Sequence, residues 1–512
     1  MKPHTPAPMA WLGHKTALSY VLLITLVMAA TGLIALHEGA TRFMLPFIVD
    51  DSSDLLGDQI AQARATPDLD TLSHVSEELA FLARATSVER MTESRLPDQS
   101  LYYTTMPPHN QLLLVSHILL GVFCLVVGGF QFWPQFRKRF MRVHRAFGAL
   151  YVVTAPISVM LSLVYLALTP PHNIYAHLVA WCALWVFGIL AIIAIVMAMR
   201  ALSAKRIHEH QSWMALSFGC LIVAPMLRWN WVVLAWAFPH IDQETLNLVT
   251  MGIMLPEVLL IGYGLSLVNR QYLRALVRRK SAPLVPAINH AFFTAMPFWF
   301  GLAALVFAVS LTAYVFSDGI LSLAPASLMP PALMERESGM LSEYGWLGPL
   351  FALANGTALF TGLWLLRQLF TRPQQPTSSR MVTTFAVATG LMLLASLAMG
   401  HHIGLQPNKG LLSGGTLYTL AGTLLAAFLL VFLGTWRVGQ RALMKESLVF
   451  LLTLLPFPAL LLGMLWAVNW VGLPADYLAA GQGYVLPAGG CLGLFFIAMF
   501  YVIYGQATRE HG

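Results

Sequence analysis

The chain has 512 residues, of which 57% are hydrophobic and only 10% are charged, and its mean hydropathy is +0.68. Soluble domains contain about 25% charged residues, so this composition excludes a soluble protein and indicates an integral membrane protein. Apolar runs of about 20 residues recur along the chain, each long enough to cross a bilayer as a helix. The sequence has none of the short alternating segments of a membrane β-barrel, so it predicts an all-α, polytopic membrane protein.

The apolar runs predict twelve membrane-spanning helices in chain order. The first follows a short basic stretch but is too long for a signal peptide and has no clear cleavage site, so residues 1–36 are predicted to be an uncleaved anchor. The twelve predicted spans are approximately 17–36, 112–133, 146–168, 176–199, 213–237, 247–268, 290–316, 347–367, 381–400, 414–435, 447–471 and 483–505.

Lysine and arginine are unevenly distributed between the two sides of these spans. With a cytoplasmic N-terminus, the inner loops contain 22 of the 30 Lys and Arg residues. This bias is the usual one for cytoplasmic loops, and it predicts a bacterial inner membrane protein with both termini in the cytoplasm. The net charge of +7 is therefore a signal of topology, and we expect membrane lipid as a partner and no nucleic acid.

Long polar segments divide the chain into parts. Residues 37–109 contain twelve acidic and five basic residues and are predicted to form a helical cap on the periplasmic side, serving as a lid or as a docking site. Residues 110–268 contain the second to sixth spans. The basic and proline-containing stretch 269–289 is predicted to be a cytoplasmic linker, and residues 290–512 contain the remaining six spans.

Four histidines alternate between the two ends of four consecutive predicted spans. His117 and His177 fall at the outer ends of the second and fourth spans, and His144 and His210 fall at the inner ends of the third and fifth. Neutral imidazoles from two facing helices are suitable axial ligands for one haem iron. The pattern therefore predicts a four-helix histidine-bearing bundle with two b-type haems, one pair of histidines near each membrane surface.

Other residues near these histidines fit the same hypothesis. Gly121 and Gly148 each lie one turn beyond a histidine, where a missing side chain lets a porphyrin approach the backbone. Arg228 is an intramembrane cation, which is expensive in lipid and suits a haem propionate, with Glu257 as its alternative partner.

Each assignment has an alternative. Histidines at helix ends often only contact water or headgroups, His208 and His172 are rivals to His210 and His177, and small residues also allow helices to pack closely. A single copper or zinc ion held by all four histidines is disfavoured, because the two pairs lie at opposite surfaces.

The motifs around these histidines resemble a known family. His144-Arg145, Gly148 and Tyr151, followed by His210 and Trp213-Met214, are similar to the bacterial predicted membrane proteins of the DUF2306 family over approximately residues 110–265. The alternating histidines also resemble the cytochrome b561 type of di-haem membrane protein. That second resemblance implies that His117 pairs with His177 and His144 with His210.

The second half offers fewer candidates. Asn355-Gly356 is expected to interrupt the eighth span, Pro456 and Pro458 to kink the eleventh, and Pro487 to kink the twelfth. His401-His402 end the ninth span and are candidates for a metal or a quinone head group. No ionisable residue falls deep in these six predicted spans, which argues against a proton or ion path there.

Two functions from different classes remain. The first is a membrane oxidoreductase or electron carrier, in which two haems pass electrons across the inner membrane between a quinol or soluble donor and an acceptor. The alternative is a twelve-helix transporter, or a membrane assembly factor, without a redox cofactor.

Overall fold

The computed structural model contains helices and no strands among the residues that it describes. Those residues are 14–38, 68–75, 106–174, 177–237, 243–272, 291–372, 377–404, 412–479 and 482–491, with single positions between 57 and 88 and position 375. The predicted all-α class is confirmed.

Apart from its first eight residues, the chain consists of two compact units, residues 9–276 and residues 277–512. The division falls within the segment 269–289 that the sequence predicts to be a linker. The described helices of the first unit are α1 (His14–Glu38), α2 (Leu69–Val75), α3 (Pro108–Gln131), α4 (Pro134–Arg139), α5 (Met141–Leu168), α6 (His177–Ser203), α7 (Ile207–Leu221), α8 (Val223–Ala237) and α9 (Gln243–Tyr272).

The second unit is also helical in its described part. Its helices are α10 (Met296–Val315), α11 (Pro331–Glu343), α12 (Leu347–Thr371), α13 (Ser379–Ile403), α14 (Leu412–Arg437), α15 (Arg441–Leu454), α16 (Phe457–Val471), α17 (Ala475–Ala479) and α18 (Gln482–Gly490). The predicted helical cap at 37–109 lies mostly outside the described residues, with α2 as its one long described piece.

Eight helices of the described chain are long and apolar enough to cross a membrane, or ten if each of two bent pairs forms one span. The protein is therefore a membrane protein with several apolar spans. The count of twelve is not confirmed. The sixth predicted span lies within α9, and most of the twelfth lies outside the described residues.

Both bent pairs are explained by proline. The α7–α8 pair bends by 55° and the α15–α16 pair by 48°. A proline removes the N–H that bonds the carbonyl four residues earlier, and Pro225 and Pro458 follow the last residues of α7 and α15 by four positions. The kink predicted at Pro456 and Pro458 is confirmed, whereas the fifth span, predicted to be continuous from 213 to 237, is broken.

The eighth span behaves differently from its prediction. Helix α12 runs without interruption through Asn355-Gly356, so the expected break there is wrong. Asn355 instead donates a hydrogen bond of 2.6 Å to the carbonyl of Leu455, at the break between α15 and α16. Its side chain compensates a neighbouring helix that has lost backbone hydrogen bonds.

In the first unit, helix α3 packs against α5, α5 against α6, α6 against α7, and α7 against both α9 and α3, while α1 packs against α3. Helices α7 and α9 approach each other closely at two glycines. A Cβ added to Gly219 would lie 2.7 Å from the carbonyl oxygen of Val258, and one added to Gly262 would lie 3.1 Å from that of Ala215. The close contact between the two helices therefore requires glycine at both positions.

We expect Gly219→Ala to destabilise the protein by about 1–3 kcal/mol, because the added methyl group meets backbone that cannot rotate away. The matched control is Gly434→Ala, in helix α14, where a Cβ meets no atom of the described residues within 4 Å. There the substitution is expected to be neutral or stabilising by up to about 1 kcal/mol. Thermal unfolding of the detergent-solubilised variants measures both, and equal melting temperatures would contradict the packing argument.

Candidate functional site

His117 lies nine residues after the start of α3, with its ring against helix α5. Its Nδ1 lies 2.9 Å from the carbonyl oxygen of Ser158, and the Ser158 hydroxyl donates to the His117 carbonyl at 3.0 Å. A carbonyl oxygen can only accept a hydrogen bond, so Nδ1 carries the proton. In the neutral ring, Nε2 is then the nitrogen with a free lone pair.

His210 makes the same kind of contact at the other end of these helices. It lies in the first turn of α7, and its Nδ1–H donates to the carbonyl of Ala198 on α6 at 3.0 Å. Nε2 is again the lone-pair nitrogen. The helix begins at Ile207, six residues before the predicted span, so His210 is held within a helix and does not merely precede one.

His144 lies in the first turn of α5, at the same end as His210. The two imidazoles are close enough for the charge of one to act on the other, and Arg137 acts on both. The Nδ1 of His144 is buried and has no hydrogen-bond partner among the described residues. The structure therefore brings His144, His210 and Arg137 into one cluster, which we call the basic-end cluster.

His177 is the first residue of α6. Its side chain lies outside the described residues, and so do the side chains of its rival His172 and of His208, the rival of His210. The pairing of His177 with His117 therefore stays a prediction.

The glycines near these histidines face neighbouring side chains. A Cβ at Gly121 would lie 3.7 Å from the Ser158 hydroxyl, and one at Gly148 would lie 3.5 Å from Oε1 of Gln131. A Cβ at Gly128 would collide with the ring of Phe218 at 2.6 Å. Gly128 therefore allows its helix to pack closely against Phe218. At Gly121 and Gly148 an added Cβ would make only ordinary van der Waals contact, so their role beside a porphyrin stays a prediction.

Arg228 lies on α8, beyond the bend that follows α7. Its Nη1 donates to the carbonyl of Ala224 at 3.2 Å, and its guanidinium carbon lies 5.8 Å from the centre of the Trp231 ring. Glu257, the alternative partner suggested by the sequence, accepts a hydrogen bond of 2.6 Å from the side-chain amide of Asn230. Sequence reasoning did not predict Asn230 as the hydrogen-bond partner of Glu257.

The basic-end cluster contains one largely buried cation, and the side-chain amide of Gln131 lies near the cluster. Arg137 is largely buried, and this burial lowers the pKa of its guanidinium to about 10. Gln131, at the end of α3, is also buried, and its Nε2 has no partner among the described residues. A buried unpaired donor is costly, so the cluster offers hydrogen bonds to an anionic or carbonyl-bearing ligand.

The second unit contains a buried carboxylate that sequence reasoning missed. Glu337 on α11 has no exposed surface, its Oε2 accepts from the backbone N–H of Leu321 at 2.9 Å, and its Oε1 accepts from the Tyr418 hydroxyl at 3.1 Å. The signal was the helical spacing of Leu333, Glu337 and Met340, which places the carboxylate on the apolar face of a short amphipathic helix.

Helix α15 begins six residues earlier than the predicted span and thereby includes Glu446, which is also buried. Glu337 and Glu446 both lie outside the six predicted spans, so the prediction that no ionisable residue falls deep in those spans is not contradicted. They are two buried carboxyl groups that this prediction did not consider. The other candidates there, His401 and His402, are exposed, and the His402 ring lies 4.4 Å from that of Tyr344.

Residues 114–264 match the DUF2306 family, which is described as a predicted membrane protein. The resemblance expected at residues 110–265 is thereby confirmed. No curated protein and no solved structure matches the chain. The likeness to the cytochrome b561 type is not shown by these comparisons.

The DUF2306 segment runs from α3 into α9 and contains all four site histidines. Within the described part of the chain, no group of three or more His, Cys, Asp or Glu side chains could hold a metal ion. A bis-histidine haem needs only two protein ligands, so that finding bears on compact metal sites and not on haem.

Proposed function

We propose that the DUF2306 segment binds two b-type haems and passes electrons across the membrane. The observation that carries this proposal is shared by His117 and His210. Each ring donates its Nδ1–H to a backbone carbonyl of the neighbouring helix, at 2.9 and 3.0 Å. Metal-binding histidines almost always have such a second contact, because it fixes the ring and leaves Nε2 for the metal.

The residues of the basic-end cluster fit a haem. His144 and His210 come from two helices, α5 and α7, and interact electrostatically. Haem propionates are anionic, and Arg137 and Arg145 both lie within electrostatic range of His144. The unpaired Nε2 of buried Gln131 is a further donor that an oxygen ligand can satisfy. His144 and His210 would hold the haem iron at this end.

The second haem is assigned to His117 and His177. His117 lies 14 residues before the end of α3, which places it roughly 21 Å from that end of the helix. One haem then lies near each end of the helices, as electron transfer from one surface to the other requires. When bound, haem supplies reversible one-electron chemistry, while the protein holds the imidazoles in place and excludes water.

The wider proposal includes the surroundings. We propose a bacterial inner membrane location with both termini in the cytoplasm, lipid contact along the apolar helices, and a quinol or soluble protein as donor or acceptor. In that arrangement the chain acts as a membrane oxidoreductase or electron carrier. Arg228 remains a candidate for a propionate of the haem at His117.

The test is the absorption spectrum of the full-length protein, purified in detergent from cells supplied with a haem precursor. We expect a reduced-minus-oxidised spectrum of b type and about two haems per chain in a pyridine haemochrome assay, because one histidine pair serves each haem. Protein that is folded but takes up no haem, even after incubation with haemin, would refute the proposal.

A second candidate is a transporter without a redox cofactor. The observations in its favour are the 55° break between α7 and α8 and, about two helical turns further along α8, the hydrogen bond between Asn230 and Glu257. Broken helices beside polar side chains are typical of substrate sites in transporters. A haem-free protein whose thermal unfolding is changed by Glu257→Gln and by a bound solute would favour this candidate.

A further inference from the structure

The second unit contains a hydrogen-bonded chain of buried acidic hydroxyl and carboxyl groups. The Glu337 carboxylate accepts from Tyr418, and the Tyr418 hydroxyl forms a short hydrogen bond with the hydroxyl of Tyr314. The three side chains come from α11, α14 and α10, and all are buried. We call them the Glu–Tyr–Tyr chain.

Glu337 lies on a helix with one buried and one exposed face. Leu333 and Met340 share its buried face, whereas Glu335 and Arg336 are exposed. The carboxylate therefore lies on the covered face of a helix whose other face is exposed. Movement of this one short helix would expose the carboxylate.

Among the described residues, the titratable groups that act on Glu337 include the hydroxyls of Tyr314, Tyr418 and Tyr484. Two backbone N–H groups, those of Ile320 and Leu321, also donate to it. Burial nevertheless raises the pKa of Glu337 to about 7. The carboxyl group therefore changes its charge near neutral pH.

Further polar groups continue from the Glu–Tyr–Tyr chain into the interior. Ser310 lies one helical turn from Tyr314 on α10, and its hydroxyl is buried without a partner among the described residues. On α12, Phe351 packs against Tyr314 with ring centres 4.8 Å apart, and Asn355 lies one turn deeper. The side-chain oxygen of Asn355 likewise has no hydrogen-bond partner in the part of the chain that the structure describes.

Helix α13 adds two more such groups. The side-chain amide of Asn355 lies 3.3 Å from the sulfur of Met392, which fixes the depth at which α13 passes. Ser396 and Thr389 flank Met392 along that helix, about one turn to each side, and both hydroxyls are buried without a partner in the described part of the chain. Buried hydroxyls of this kind have unused hydrogen-bonding capacity, which water can take up.

We propose that the second unit conducts protons, with Glu337 as the proton-binding residue and Tyr418 and Tyr314 as the relay to the polar interior. Tyr418 gives its proton to the Glu337 carboxylate and takes the proton of Tyr314. Tyr314 takes a proton from a hydronium ion, which becomes water. Each tyrosine oxygen that loses a proton gains one, so among these protein groups only Glu337 changes charge, while the hydronium ion becomes neutral water. Movement of α11 would then release the proton from Glu337 to solution, and the same steps in reverse would carry a proton the other way.

Glutamine at position 337 separates this activity from a structural role. Its amide oxygen can accept from Leu321, and its amide N–H can donate to Tyr418, so the helix contacts persist while protonation is lost. Glu335→Gln is the matched control, because Glu335 is exposed on the same helix.

The test uses the full-length protein in potassium-loaded vesicles that contain a pH-sensitive dye. Valinomycin sets a potassium diffusion potential that drives protons inward. We expect wild type and Glu335→Gln to acidify the lumen faster than protein-free vesicles, and Glu337→Gln and Tyr418→Phe to fall to the protein-free rate.

Two results would overturn the proposal: a wild-type rate equal to that of protein-free vesicles, or a Glu337→Gln rate equal to that of wild type. An infrared difference spectrum between acidic and alkaline pH provides an independent readout. The band of a protonated carboxyl group should appear on acidification of wild type and be lost in Glu337→Gln. These measurements do not depend on haem, so they test the proton proposal independently of the redox proposal.

Discussion

Replacing His210 by alanine is expected to remove one of the two haems and to stop electron transfer across the membrane. Two haems act in series, so the loss of either one interrupts the path. The measurement uses vesicles with trapped ferricyanide and an external reductant, and the expected rate is that of protein-free vesicles. His144→Ala should have the same effect, and the double variant should lose no more, because both residues serve one haem.

The controls for this prediction are two histidines that the proposal does not use. His208→Ala tests the rival ligand on the same helix, and His109→Ala replaces an exposed histidine in the first turn of α3. Both should keep two haems and the wild-type rate. Haem loss in His208→Ala, with retention in His210→Ala, would assign the ligand to His208 and contradict the role given to the ring at 210.

The second large effect concerns stability and pH, and it depends on Glu337. Burial raises the pKa of this carboxyl group from 4.5 to about 7, so the folded protein binds its proton more tightly than the unfolded chain does. The contribution to stability is complete below about pH 4.5 and is lost as the pH rises to about 7. At about 1.4 kcal/mol for each pKa unit, the loss amounts to roughly 3 kcal/mol.

Glu337→Gln removes this dependence, because the amide does not titrate. The difference in unfolding free energy between wild type and the variant should therefore decrease by roughly 3 kcal/mol between pH 4.5 and pH 7.5, to the disadvantage of wild type. Thermal or detergent-induced unfolding at a series of pH values gives this difference. A difference that stays constant over this range would show that Glu337 does not change its protonation on folding.

Much of the fold follows directly from the sequence. A bilayer demands helices of about 20 apolar residues, so hydropathy alone predicts the spans near residues 112–133, 146–168 and 381–400. The break at Pro456 and Pro458 was equally predictable, because proline removes a backbone donor wherever it stands. Pro225 gives the same signal for the break between α7 and α8, but it lies inside a strongly apolar run, which by itself predicts one continuous helix.

Other features of the fold could not be predicted without the tertiary structure. The Asn355-Gly356 pair is typical of a helix interruption, yet α12 is continuous because neighbouring helices bury both residues. The environment overrides a weak local preference. Likewise, Glu337 belongs by sequence to a polar loop and by structure to the interior, because only packing decides which face of a short helix is covered.

The sequence by itself determined the class of this protein, an all-helical membrane protein with several apolar spans, and the alternation of its histidines between helix ends. It could do so because composition and helical spacing act locally. Only the tertiary structure decided which groups meet: His210 with the carbonyl of Ala198, and Glu337 with Tyr418. Such contacts depend on the rotation and depth of each helix against its neighbours, and hydropathy leaves both unspecified.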